Sequence, residues 1–199
     1  MAGRRRESFT DARARRAAVD DPAVVLEAAA RFLEVRSRSV HEVRRRLTGA
    51  GYQAELVDGA IDRLTELGML DDRAFAQAWV ESRDRARPRG ERAIREELRT
   101  KGVDRTVVDD VLETRRVAAG EHAEPEADAG AVTPDRAAAD RLLVRHARAL
   151  ARVADPRQRR QRAYALLARN GFDPETCREA AAALVAQTDE ADDGGLDAE

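Results

Sequence analysis

Ile94-Arg-Glu-Glu-Leu98-Arg-Thr-Lys-Gly102-Val103 places apolar residues eight and four positions before a glycine and one position after it. A spacing of four puts Ile94 and Leu98 on one helix face. The glycine suits the left-handed position that ends a helix, with Val103 folding back over the last turn. The arrangement recurs in Val43-Arg-Arg-Arg-Leu47-Thr-Gly-Ala-Gly51-Tyr52 and in Ala163-Tyr-Ala-Leu-Leu167-Ala-Arg-Asn-Gly171-Phe172. Such self-similarity marks a repeat protein. A second helix is predicted after each glycine, on Leu56, Val57, Ala60, Ile61 and Leu64, on Val107, Val108, Val111 and Leu112, and on Cys177, Ala180, Ala181 and Leu184. Asp104 and Asp173-Pro174 supply start signals for the last two.

A further helix precedes each pair. Its apolar positions are Val24, Val25, Ala28, Ala29, Phe32 and Leu33 in the first unit, and Phe75, Ala76, Trp79 and Val80 in the second. In the third they are Leu142, Leu143, His146, Leu150 and Val153. The pattern predicts an all-α protein, a tandem array of three three-helix repeats, elongated and curved. The repeats are placed at residues 21–69, 70–117 and 136–186. Residues 1–20 read as a disordered basic arm, 118–135 as an acidic flexible insertion and 187–199 as an acidic disordered tail, since none of the three carries an apolar face.

Composition narrows the class. Aromatic residues are 4% of the 199, too few for a large β-sandwich or barrel. No run approaches the roughly 18–20 apolar residues of a membrane span. Met1-Ala-Gly-Arg-Arg-Arg-Glu has no apolar run behind it, so no secretory signal is expected. The single cysteine forbids an intrachain disulfide and suits a reducing cytoplasm. Cys177 falls on an apolar stripe and reads as an inert core thiol, and Trp79 reads as core through its spacing with Phe75.

No catalytic constellation assembles. His41, His122 and His146 lie in separate contexts, with His146 on the apolar side of its helix, and a lone cysteine builds no zinc cluster. Gly49 and Gly51 lack the strand and lysine of a phosphate loop. Asp71-Asp72, just before the Phe75 helix, reads as a capping pair rather than an acid–base pair. Neither a cofactor nor a metal is expected, and the chain is read as a non-enzyme.

The net charge of −2 conceals a partition. Residues 118–135 hold five acids and residues 187–199 six, with no Lys or Arg in either stretch. Without those eleven acids the chain carries 27 acids against 36 basic residues, a balance of +9. Arg141, Arg145, Arg148 and Arg152 recur at i, i+4, i+7 and i+11, within a sector of roughly 60° opposite the apolar side. Arg157, Arg159, Arg160 and Arg162 follow directly. Like charges at i, i+4 oppose helix formation, so an uncompensated ridge points to an acidic or polyanionic partner. A milder basic set, Arg83, Arg85, Arg87, Arg89, Arg92, Arg95, Arg99 and Lys101, is interrupted by Glu91, Glu96 and Glu97. These sixteen residues are the candidate partner- or nucleic-acid-binding positions. A direct DNA-binding regulator of helix-turn-helix-like modules is the competing reading, but Glu55, Asp58, Asp62, Asp109 and Asp110 on the helices after the glycines repel phosphate. A structural adaptor with no nucleic acid nearby is distinguished by salt-insensitive binding.

Leu67-Gly-Met-Leu-Asp71-Asp72-Arg-Ala-Phe75-Ala, then Trp79-Val-Glu-Ser-Arg83, then Arg89-Gly90 and Ile94-Arg-Glu-Glu-Leu98-Arg-Thr-Lys101-Gly102-Val103, resemble the core of the RecX family of bacterial regulatory proteins. The match covers roughly residues 25–115; the third repeat follows by repeat logic. The resemblance implies a cytoplasmic, monomeric modulator of the RecA recombinase. It implies binding to RecA and to its filament on single-stranded DNA, and leaves open a weak direct contact with DNA. Recombinase, ATPase and co-protease activities in recombination, DNA repair and the SOS response are then restrained. The acidic insertion, the long basic N-terminal segment and the acidic tail depart from the family pattern.

Overall fold

The computed structural model describes residues 8–121 and 133–193. Among these residues there are ten helices and no strand: α1 (Phe9–Ala17), α2 (Pro22–Glu34), α3 (Val40–Ala50), α4 (Ala54–Glu66), α5 (Asp72–Ala86), α6 (Glu91–Thr100), α7 (Arg105–Glu121), α8 (Pro134–Ala151), α9 (Pro156–Arg169) and α10 (Pro174–Asp193). The all-α expectation holds. None of these helices is long and apolar enough to cross a membrane.

The repeat glycines end helices as their spacing predicts. Gly51, Gly102 and Gly171 have φ of 107°, 73° and 83°, a region that side chains with a Cβ rarely adopt. After Gly51 and Gly171 the next N–H reaches back over the turn, Tyr52 to the Leu47 carbonyl at 3.3 Å and Phe172 to that of Leu167 at 3.4 Å. A fourth turn of this kind, at Gly68, lies outside the repeat alignment.

Two compact units emerge, one holding residues through Ala76 with Arg99–Val107, the other Gln77–Leu98 with residues from Val108 onward. Helices α5, α6 and α7 each contribute to both. In the first unit, α2, α3 and α4 enclose Val25, Ala29, Val43, Leu47, Val57, Ile61 and Leu64, all 4% exposed or less. In the second, α8, α9 and α10 enclose Leu142, Leu143, Ala163, Leu167, Phe172, Cys177 and Ala181. Burying each large aliphatic side chain contributes roughly 1.5–3 kcal/mol. Cys177 is fully buried, as its place on the stripe suggests.

Several helix starts are written in the sequence. Asp71 caps α5, accepting from the N–H groups of Arg73 (2.7 Å) and Ala74 (3.1 Å). Asp104 accepts from the Thr106 N–H at 2.7 Å, and Asp173 from Glu175 and Thr176 at 2.9 Å each. Asp72 does something else: its Oδ1 accepts the Val40 N–H at 2.9 Å, joining the starts of α3 and α5. Beside it the buried Ser39 caps α3 and donates to the Lys101 carbonyl at 2.6 Å. Lys101 donates to Glu42 at 2.9 Å.

Four expectations need correction. Part of the N-terminal arm is helical: Ser8 caps α1 by accepting from the N–H groups of Thr10 and Asp11. Gln53 then donates to the carbonyls of Ala17 and Val19, supplying tertiary hydrogen bonds that an arm without an apolar face does not advertise. The stretch 118–135 is helical at both ends, since α7 runs to Glu121 and α8 starts at Pro134; residues 122–132, with His122, lie outside the described residues. Thr133 and Pro134 form the cap and first turn of α8. The tail region is helical through Asp193, because α10 continues along the alanines after Cys177, and residues 194–199 lie outside the described residues. His146 is exposed rather than set against the core. The α8 stripe is completed instead by Ala138 and Ala139, both fully buried.

Candidate partner-binding surface

The sixteen basic residues separate into two kinds. Those of residues 83–101 mostly hold the protein together. Arg83 Nε donates to Glu97 at 2.6 Å, and its guanidinium lies 4.4 Å from the centroid of the Trp79 ring. The half-buried Trp79 donates its indole N–H to the same carboxylate at 2.8 Å. Arg89 lies 3.6 Å from Glu97 and donates to the Asn170 side chain at 2.8 Å. Arg95 pairs with Glu91 at 2.9 Å and with Asp109. Arg85 reaches Glu81 only at 3.8 Å on an exposed face. Arg99 is exposed and also has an interaction of its own, while Arg87 and Arg92 are exposed with no carboxylate partner among the described residues.

Sequence reasoning missed the polar joint beneath this region. Arg115, its side chain 8% exposed, donates to both oxygens of Asp84 at 2.7 and 2.9 Å and to Asp135 at 2.7 Å. Asp135 also accepts the Glu91 N–H at 2.8 Å, so one carboxylate fastens the starts of α6 and α8 to α7. Burial pushes the Asp135 carboxyl above its ordinary pKa, despite these two donors. Burial also acts on Glu91, but hydrogen bonds from Arg116 and Arg95 outweigh it and hold that carboxyl below the usual range. Next to this joint the backbones touch: Gly90 N–H donates to the Asn170 carbonyl at 3.1 Å, and a Cβ on Gly90 would stand 2.3 Å from the Gly171 oxygen. The legible signal for Asp135 was Thr133-Pro134-Asp135, a cap, a first-turn proline and a first-turn acid. For Arg115 and Asp84 there was none, because the pair is distant in sequence.

The α8 ridge divides along its length. Arg141 lies 3.7 Å from Asp84, and Arg145 donates to the Ala86 carbonyl at 2.5 Å, capping the last turn of α5. Beyond them the arginines are uncommitted. Arg148, Arg152, Arg157, Arg160 and Arg162 are exposed and pair with no carboxylate among the described residues. Arg159 is turned inward, donating to the Val153 carbonyl at 3.1 Å. In α9 the cap Asp155 accepts the Arg157 N–H at 2.9 Å, yet the first turn holds no acid. Cations there face the positive end of the helix dipole, an unfavourable arrangement that an anion relieves. Val144, 73% exposed, stands among Arg141, Arg145 and Arg148 on the same helix. The surface therefore offers cationic groups around an apolar side chain. No cluster of His, Cys, Asp and Glu among the described residues is placed to hold a metal ion.

Comparison with known proteins follows this geometry. Residues 26–64 match the family model "RecX, first three-helix domain", and residues 71–112 match "RecX, second three-helix domain". The regulatory protein RecX of Mycobacterium avium is 34% identical over 158 residues, 79% of this chain and 83% of that protein. That of Mycolicibacterium smegmatis is 44% identical over 82 residues, and there the match spans 41% of this chain and 44% of the relative. The crystal structure of RecX from Lactobacillus salivarius superposes with a TM-score of 0.67 at 18% identity, over 83% of this chain and 97% of that one.

Proposed function

The chain belongs to the RecX family of regulatory proteins, a non-enzymatic family, and from that premise we propose that it binds the RecA recombinase and its filament on single-stranded DNA, restraining recombinase, ATPase and co-protease activities. The observation that carries the reading is the set of exposed arginines Arg148, Arg152, Arg157, Arg160 and Arg162, which pair with no carboxylate among the described residues. Arginine's planar fork suits carboxylates and phosphates alike, and a filament presents both: protein acids on its surface and phosphates along the strand. Exposed Val144 adds apolar contact at the centre of the α8 face. Arg141 and Arg145 serve this surface indirectly, by fixing α8 against the end of α5. The protein acts as a monomer in the cytoplasm, in recombination, DNA repair and the SOS response.

The alternative, a regulator reading duplex DNA through helix-turn-helix-like modules, is disfavoured. The helices after Gly51 and Gly102 present the exposed acids Glu55, Asp58, Asp62 and Asp110, which repel phosphate. Co-sedimentation with preformed RecA filaments, set against naked single-stranded DNA at low and physiological salt, tests the choice. Binding to filaments that exceeds binding to the naked strand and weakens with salt is expected. Equal binding to naked DNA, or none to filaments, contradicts the proposal.

A further inference from the structure

We propose that the first unit carries a separate site for a single nucleic-acid strand, in a cleft formed by α1, α2 and α3. The cleft has a volume of about 690 Å³ and is lined by Phe9, Arg16, Phe32, Glu42, Arg45 and Arg46. That size lies within the roughly 300–1,000 Å³ of ligand sites.

The cleft is cationic. Arg16, Arg45 and Arg46 meet no carboxylate among the described residues. Its one acid, Glu42, is already bridged by Arg36 at 3.1 Å and Lys101 at 2.9 Å. Burial pushes the Glu42 carboxyl up, but the hydrogen bonds from Lys101 and Arg36 outweigh it and keep the group below its ordinary range. Its charge is thus spent on those partners, and three guanidinium groups remain for an anion.

The cleft is also aromatic. Phe9 is 73% exposed on the first turn of α1, where burial does nothing to explain a large ring. Phe32 is half-buried, with the Arg38 guanidinium carbon 4.3 Å and that of Arg46 5.7 Å from its centroid. The exposed Phe9 ring, beside guanidinium groups and a Phe32 ring already stacked with them, matches a strand of alternating bases and phosphates: bases stack on rings and on guanidinium planes, while phosphates meet the cations. An acidic peptide would satisfy the arginines and leave Phe9 without a role. Phe9 and Arg16 come from α1, outside residues 26–64 of the family match, whereas Phe32, Glu42, Arg45 and Arg46 lie within them; the site is read from the cleft's own side chains and does not depend on the RecA reading.

The test is fluorescence anisotropy of a labelled oligothymidylate with the full chain at low and physiological salt. Phe9→Ala is expected to weaken binding about fivefold or more, the low end for one stacked base, while Phe9→Tyr keeps the ring and the affinity. Arg16→Ala with Arg45→Ala should lower the slope of log affinity against log salt by about 1.4, two phosphate contacts at roughly 0.7 each. These side chains lie at the surface of the cleft, so thermal unfolding should match the parent chain and separate loss of binding from loss of fold. Unlabelled oligothymidylate should displace the probe; thymidine monophosphate and polyglutamate should not at equal charge. The proposal is overturned if the chain does not bind the oligonucleotide, or if the variants bind like the parent. It is overturned equally if the mononucleotide competes as well as the strand, or if polyglutamate does.

Discussion

Residues 83–101 and residues 148–162 are both dense in arginine, and they use it differently. In the first, Arg83 and Arg89 converge on Glu97, and Arg95 joins Glu91 to Asp109. In the second, five arginines face solvent without a carboxylate among the described residues, and the first turn of α9 repeats the sign of its own dipole. Composition cannot separate these uses. The acids interleaved at 91, 96 and 97 do, since an arginine three or four residues, or one packed helix, from a glutamate has an internal partner available. An arginine run without them keeps its charge for something outside the molecule.

The sharpest way to break that contrast is to remove an arginine that is structural. Arg115→Met leaves Asp84 and Asp135 without their cation in a region where the Arg115 side chain is only 8% exposed. Stripping one partner from a buried ion pair costs about 3 kcal/mol, a fall in Tm of roughly 6–12 °C for a chain of this size. Thermal unfolding followed by circular dichroism reads it. A change of less than a degree would mean that the joint is not what positions α8.

A smaller effect is expected from pH. Glu91, held below its usual 4.5 by Arg116 and Arg95 against burial, gives up its charge less readily in the folded chain than in the unfolded one. Its contribution is complete above about 4.5 and declines as pH falls through its lower folded value. Asp135, raised by burial, acts in the opposite sense, favouring the folded state as it takes up a proton above 3.8. Urea unfolding between pH 6 and 3 should therefore show Glu91→Gln with a shallower loss of stability than the parent and Asp135→Asn with a steeper one. The same slope in all three would remove Glu91 and Asp135 from the account.

The fold was largely legible because it rests on local rules. The glycine with apolar residues at −8, −4 and +1 located three helix ends, and Asp71, Asp104 and Asp173 announced the starts that follow. What escaped were long-range polar contacts. Arg115–Asp84 spans 31 residues and Arg89–Asn170 spans 81, and nothing in either neighbourhood names the other. Asp135 was counted among flexible acids because an acidic stretch without an apolar face looks solvated, although its Thr-Pro-Asp start signal was present. At the candidate surface, the ridge was visible by helical spacing, but its division was not. Arg141 and Arg145 carry the same pattern as Arg148 and Arg152, and only the position of the end of α5 shows that the first two are occupied.

That division gives the central claim its most direct measurement: titration of RecA-driven, single-stranded-DNA-dependent ATP hydrolysis with the chain carrying Arg148→Glu, Arg157→Glu and Arg160→Glu. The three side chains are exposed and two lie at the positive end of α9, so stability should hold or rise slightly. Inhibition should weaken at least about tenfold, a loss of about 1.4 kcal/mol, and should depend less on salt. Inhibition as strong as that of the unaltered chain, with the fold intact, would contradict the account.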